Sequence, residues 1–95
     1  MHFIYIIKPK RDNFINSITD EESNIMSVHA EYLNNLLKNG TLVLAGPTLN
    51  GKFGIAIFQA ENESNAERIM LNDPAVVNNV MNAELHPFKI SFIRD

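Results

Sequence analysis

The sequence predicts an α+β domain of βαββαβ order. This is the ferredoxin-like arrangement, in which a four-stranded antiparallel sheet carries both helices on one face. Three observations carry the prediction. Two capping-box signatures, Thr19-Asp20-Glu21-Glu22 and Ser64-Asn65-Ala66-Glu67, open two amphipathic stretches. Short runs rich in β-branched and aromatic residues flank them in the right order. The chain has 95 residues, enough for one core and no second domain, so the domain spans 1–95.

Each element has a local cause. His2 to Lys8 reads as a strand with two apolar faces, Phe3/Tyr5/Ile7 and Ile4/Ile6. Pro9 to Ser17 is polar and basic without a period, and reads as a loop. Thr19 caps a helix whose Ile25, Val28, His29, Tyr32, Leu33, Leu36 and Leu37 recur at i, i+3, i+4 and i+7. Asp20 and Glu21 add negative charge where the helix dipole favours it. Asn39-Gly40 ends the helix, because Gly tolerates the left-handed conformation there. Thr41 to Gly46 is a second strand, and Pro47 to Lys52 a turn holding the hairpin signal Asn50-Gly51. Phe53 to Ala60 is a third strand, paired to the second. Ser64 opens a helix with Ala66, Ile69 and Met70 apolar. Pro74 disfavours helix at Asp73 and stops it; Pro74 then starts a short turn of helix within Ala75 to Val80. Ala83 to Arg94 is the last strand, with Phe88, Ile90 and Phe92 alternating.

Two helices cover one sheet face only. Yet the strands are apolar on both sides: Ile4/Ile6 behind Phe3/Tyr5/Ile7, Ile55/Ile57 behind Ala56/Phe58, and Leu42/Leu44 behind Val43/Ala45. A bare face of that kind exceeds the few hundred Å² that soluble monomers usually expose. A second copy of the chain is the simplest cover, so the expected assembly is a homodimer through the open sheet face, or a higher oligomer built from it.

Composition excludes several functions. The chain is 45% hydrophobic and 20% charged, which is globular rather than disordered. It has no Cys, which removes disulfides, thiolate metal sites and cysteine nucleophiles. A net charge of −3 argues against a phosphate-binding surface and hence against a nucleic-acid partner. The apolar run Phe3 to Ile7 precedes the basic cluster Lys8-Pro9-Lys10-Arg11, the reverse of a signal peptide. No stretch approaches the ~20 apolar residues of a membrane span. The expected location is the cytoplasm, with no membrane partner.

Three motifs invite chemistry and have plainer accounts. Gly46 to Lys52 fits G-x-x-x-x-G-K, but Phe53 stands where a phosphate loop needs Ser or Thr, and the context is strand–turn–strand. Gly51 to Phe58 approaches an RNA-recognition signature, with Ile55 in place of the second stacking ring; an RNA-binding βαββαβ module is the least favoured reading. The three His residues, His2, His29 and His86, have no metal-ligand spacing, so no metal is expected.

His29 and Asp73 are the residues with chemical interest. His29 shares an apolar helix face with Ile25, Tyr32, Leu33 and Leu36, where it is either a satisfied core histidine or a general acid–base. Asp73 precedes a proline, where it is either a helix cap or a partner for His29. In a split βαβ fold the two helices lie side by side, which lets these residues meet.

At these positions the chain resembles the YciI-like (YCII-related) family, small ferredoxin-like dimers of the dimeric α/β-barrel superfamily. The resemblance rests on His29-Ala30-Glu31-Tyr32-Leu33 followed by Leu36 and Gly40, on Leu44-Ala45-Gly46-Pro47, on Ser64 to Glu67, and on Asp73-Pro74 with the later His86-Pro87-Phe88. It implies an active site pairing His29 with Asp73, with Tyr32, Gly46 and Pro47 as substrate contacts. It implies a small organic substrate and isomerase, lyase or dehydrochlorinase-like acid–base chemistry without a cofactor. The chain departs from the family in lacking Arg-Pro before His29, an aromatic after Asp73-Pro74, and Arg-Pro-Trp at residues 86–88. If those arginines hold an anionic substrate, this chain has lost that feature or moved it to Lys8, Lys10 or Arg11. The alternative function is a non-catalytic small-molecule-binding or accessory homodimer whose His–Asp pair joins two helices.

Overall fold

The computed structural model describes all 95 residues, Met1–Asp95. Its elements are β1 (His2–Pro9), α1 (Phe14–Ser17), α2 (Asp20–Lys38), β2 (Leu42–Pro47), β3 (Gly54–Gln59), α3 (Glu63–Leu71), α4 (Pro74–Val77) and β4 (Met81–Phe88). The strands form one antiparallel sheet in the order β2-β3-β1-β4. This is the ferredoxin-like arrangement the pattern predicts, with one extra helical turn before α2 and another after α3.

Period-2 alternation sorts β1 cleanly. Phe3, Tyr5 and Ile7 are buried beneath the helices, while Ile4 and Ile6 are half-buried on the open face. The register carries this sidedness across the sheet: Phe3 lies opposite Phe58 and Tyr5 opposite Ala56, whereas Ile4 lies opposite Ile57 and Ile6 opposite Ile55. The inner face meets Ala66 and Met70 of α3, Ala75 of α4, and the partly buried Ile25, Met26, Leu33 and Leu36 of α2. Phe58 anchors the layer, with its ring centroid 6.1 Å from that of Phe3 and 5.7 Å from that of Tyr5, the latter edge-on. Such aromatic pairs contribute about 0.5–1.5 kcal/mol each beyond the area they bury.

Several expectations from the sequence are corrected. Pro9 to Ser17 is not all loop: Phe14–Ser17 forms the single turn α1, which starts after Asn13 at φ 59° and closes through Ser17 Oγ donating to Asn13 O at 2.8 Å. A turn that short shows no periodicity. The cap of α3 is Asn62, not Ser64: its side chain accepts the Asn65 N–H at 2.8 Å. Asn caps at least as well as Ser, so the earlier residue starts the helix. Leu42 and Leu44 do not share a face. A register shift between them puts Leu42 opposite Phe58 under the helices and Leu44 opposite Ile57 on the open face. The last strand stops at Phe88, not Arg94. β4 pairs only with β1, whose first residue His2 lies opposite Phe88, so Lys89 to Asp95 have no strand to pair with. Phe92 is accordingly 97% exposed.

The predicted capping box at Thr19 forms in full: Thr19 Oγ1 accepts the Glu22 N–H at 3.1 Å and Glu22 Oε1 accepts the Thr19 N–H at 2.9 Å. Glu22 also accepts from both terminal guanidinium nitrogens of Arg11, one at 2.7 Å. Arg11 in turn donates to Ser17 O and lies 5.1 Å from the Phe14 ring centroid. One surface ion pair therefore fixes the α1 turn against the start of α2. The Arg11 hydrogen bond first, then that of the Thr19 backbone, hold the Glu22 carboxyl at about 2, below its ordinary 4.5. A depressed folded-state pKa contributes stability above pH ~4.5 that is lost as pH falls toward 2. Thermal melts across that window should show this loss, and Glu22→Gln should flatten its share. An unchanged acid limb in Glu22→Gln would show that the pair does not form.

Candidate active site

The site begins at a break in the chain. Asn72 ends α3, and Pro74 forces Asp73 into extended backbone, at φ −62° and ψ 125°. Asp73 then caps α4, with Oδ1 accepting the Ala75 N–H at 2.9 Å. It is fully buried. A carboxylate out of water is costly unless donors surround it. Two side chains meet that need: His29 Nδ1 at 2.7 Å from Oδ1, and the Tyr5 hydroxyl donating to Oδ2 at 2.7 Å. Three elements thus converge, β1 through Tyr5, α2 through His29, and the α3–α4 junction through Asp73.

This geometry sets the histidine tautomer. A carboxylate only accepts, so Nδ1 carries the hydrogen and Nε2 is the free nitrogen. Nε2 has no protein partner, and no buried side-chain polar atom in the molecule is left unsatisfied, so Nε2 reaches open space. His29 also lines a pocket of about 930 Å³ between α2 and the inner sheet face, spreading toward the β2 edge. Ligand sites commonly measure about 300–1,000 Å³. His29, Tyr5 and Ala56 are in its wall, Gly46 and Pro47 at the end of β2 line it, and Ile15 and Ile18 of the α1 region roof it. Ile15 rests where Gly51 has no side chain, closing the turn of the β2–β3 hairpin against α1.

Of the residues named from sequence, His29 and Asp73 are in contact, and Gly46 and Pro47 share a pocket with His29. Tyr32 stands apart: its hydroxyl donates to Ile69 O at 2.6 Å, joining α2 to α3, and it is absent from the pocket wall. Tyr5 was missed. Its signal was an otherwise apolar strand face carrying a hydroxyl that, once buried, must find a partner. No cluster of three or more His, Asp or Glu side chains is arranged to hold a metal ion. Of the rings in the stretch that approaches an RNA-recognition signature, Phe58 is buried beneath the helices and Phe53 lies outside β3. On the open face β1 and β3 present Ile4, Ile6, Ile55 and Ile57.

The chain is thus a ferredoxin-like α+β domain with a buried Tyr5–Asp73–His29 chain beside an apolar pocket. The chain belongs to the YCII-related domain family, whose model matches residues 1–89. Its fold is similar to that of 5-chloro-2-hydroxyhydroquinone dehydrochlorinase from Burkholderia phenoliruptrix AC1100, solved with 2,5-dihydroxybenzoquinone. That likeness has a TM-score of 0.71 at 19% identity and covers 94% of each chain. It is similar also to muconolactone isomerase, with a TM-score of 0.73 at 13% identity, over 100% of this chain and 97% of that one. No curated protein sequence matches the chain.

Burial first, and then the Asp73 charge and hydrogen bond, push the Tyr5 hydroxyl far above the ordinary tyrosine value of about 10. Burial and the Asp73 charge raise Tyr32 as well. A raised folded-state pKa gives stability that is full below pH ~10 and fades as pH rises above it. Tyr5 should therefore show no phenolate absorbance near pH 10 in the native protein and ionise only with alkaline unfolding, while Tyr32 should ionise above its ordinary value. Ordinary titration of Tyr5 in folded protein would contradict the site geometry.

Proposed function

We propose that the protein is a cofactor-independent isomerase or lyase of the cytoplasm, acting on a small organic molecule with His29 as general acid–base. The observation that carries this is the pinned histidine: Asp73 holds Nδ1 at 2.7 Å and leaves Nε2 free at the wall of an apolar pocket. Nε2 would take a proton from a bound substrate, and the imidazolium so formed would face the Asp73 carboxylate, which stabilises it. The proton then returns to a neighbouring atom of the substrate in an isomerisation, or stays on the imidazole while a leaving group departs with its electron pair in an elimination. Tyr5 would keep the second Asp73 oxygen in place, and Gly46 and Pro47 would bound the substrate. The two proteins of similar fold, a dehydrochlorinase and an isomerase, carry activities of these two kinds.

The same proposal includes a homodimer through the open sheet face. Ile4, Ile6, Ile55, Ile57 and Leu44 form a continuous apolar surface there, edged by Glu84 and His86, whose side chains lie 3.0 Å apart. Leu44 is 46% exposed in the single chain. Covering such a surface is the ordinary route by which a small domain gains stability.

Two measurements test this reading. His29→Asn should slow substrate-dependent proton exchange into heavy water by roughly 10²–10⁴ with the fold intact. A structural histidine would instead lower stability by about 1–3 kcal/mol without a rate effect, which denaturant melts would report. For assembly, sedimentation should give twice the 10.7 kDa chain mass, and Ile4→Glu or Ile57→Glu should yield monomer or precipitate, since either puts a charge in an apolar contact. A wild-type monomer at micromolar concentration would remove the dimer.

A further inference from the structure

We infer that the ligand of the His29 pocket is an uncharged, largely apolar molecule offering one hydroxyl or enolisable carbonyl to His29, and that carboxylates and phosphates are excluded. This rests on reading the pocket as the substrate site, and it adds the chemical class of the occupant.

The wall is the first argument. Of its 24 residues, 17 are hydrophobic, and none is Lys, Arg, Asp or Glu. Three side chains in it carry polar atoms: Tyr5, His29 and Asn34. The Tyr5 hydroxyl is engaged with Asp73, and Asn34 is exposed at the rim. One side-chain polar atom, His29 Nε2, therefore stands free inside.

The cations are the second argument. Three basic residues precede the roof of the pocket, and the fold turns each elsewhere. Lys8 lies opposite Asn82 on the open-face side of β1 and is exposed. Lys10 Nζ donates to Asn79 Oδ1 at 2.9 Å. Arg11 is bound to Glu22 and Ser17. The arginines that the sequence lacks beside His29 and at residue 86 are thus not replaced from β1 or the loop after it.

Charge arithmetic is the third. With Asp73 ionised, the His29–Asp73 pair has net charge zero when His29 is protonated and −1 when it is not. The unprotonated pair repels an anion, the protonated pair offers one cation already compensated by Asp73, and in either state a bound carboxylate would give up its water for apolar wall. A neutral ring or chain gains from the same wall by burial. Ile15 and Ile18 extend that apolar surface over the guest.

The test compares two probes with the same ring, methyl 4-hydroxybenzoate, which is neutral near pH 7, and 4-hydroxybenzoate, which is an anion. Each is titrated into the wild-type protein and followed by amide and His29 ring shifts. The ester should bind and shift His29, with the anion at least about tenfold weaker. Ile18→Lys, which puts a cation at a partly exposed position in the roof, should reduce that preference by about tenfold or reverse it. The wild-type comparison stands alone if this variant does not fold. Equal or tighter binding of the anion to wild type would overturn the inference, as would no ester binding at its solubility limit. His29→Asn separates this from the acid–base reading. The wall sets the preference, so it should persist there, whereas proton exchange should not. An anion-preferring protein whose proton exchange still depends on His29 would sink the uncharged-ligand inference and leave the acid–base reading standing.

Discussion

The buried carboxylate of Asp73 constrains more of this molecule than any other group. At 0% exposure it has no water to solvate it, so every lone pair it uses must face a protein donor. The donors come from the Ala75 backbone, the His29 ring and the Tyr5 hydroxyl. Meeting them together sets where α2 crosses the sheet and how the chain turns from α3 into α4. Removing one partner of a buried charge typically costs about 3–5 kcal/mol, which is a large share of the 5–15 kcal/mol that holds a domain together. A cap alone would not require this: a capping Asp at the surface is solvated and contributes about 1 kcal/mol. The extra burial is what makes the carboxylate an orienting group for a histidine.

The pocket exists because helix cover is uneven. α3 and α4 pack over β4, while α2 lies toward β2. Small residues floor the space between: Ala45, Gly46, Gly54 and Ala56 line it. The α1 turn closes it from above, held by Arg11 and Glu22 at the surface and by Ile15 against Gly51 at the hairpin. The pair that stabilises the entrance also keeps the Arg11 guanidinium out of the interior. One arrangement of charge thus serves the fold and sets the polarity of the cavity.

Likeness at 13–19% identity reaches the fold, and the chemistry has to be read from this chain's own side chains. The sidedness of the sheet supplies a framework that many sites can use. Its inner face is sealed around Phe3 and Phe58, and its outer face of isoleucines is left for another surface. What distinguishes this chain within the framework is a histidine tied at one nitrogen, a tyrosine that completes the tie, and walls without charge.

The strand–helix order, the Thr19 capping box, the stop at Asn39-Gly40 and the break at Asp73-Pro74 were all legible in the sequence. Each depends on a local rule: side-chain period, an N-cap oxygen, a left-handed glycine, or a proline that cannot continue a helix. His29 and Asp73 stood out because each put a polar group where an apolar or capping residue has a simpler role. Local rules failed where the partner is remote. The end of β4 depends on where β1 begins, and the sides of Leu42 and Leu44 depend on a bulge fixed by pairing with β3. Tyr5 joins Asp73 across 68 residues and His29 joins it across 44, separations over which no sequence period operates. The sequence therefore determined the strands, the helices other than the α1 turn, and two of the three polar residues. Only packing α2 and the α3–α4 junction against β1 decided that they meet, because a buried carboxylate is tolerated only where the folded chain brings it donors.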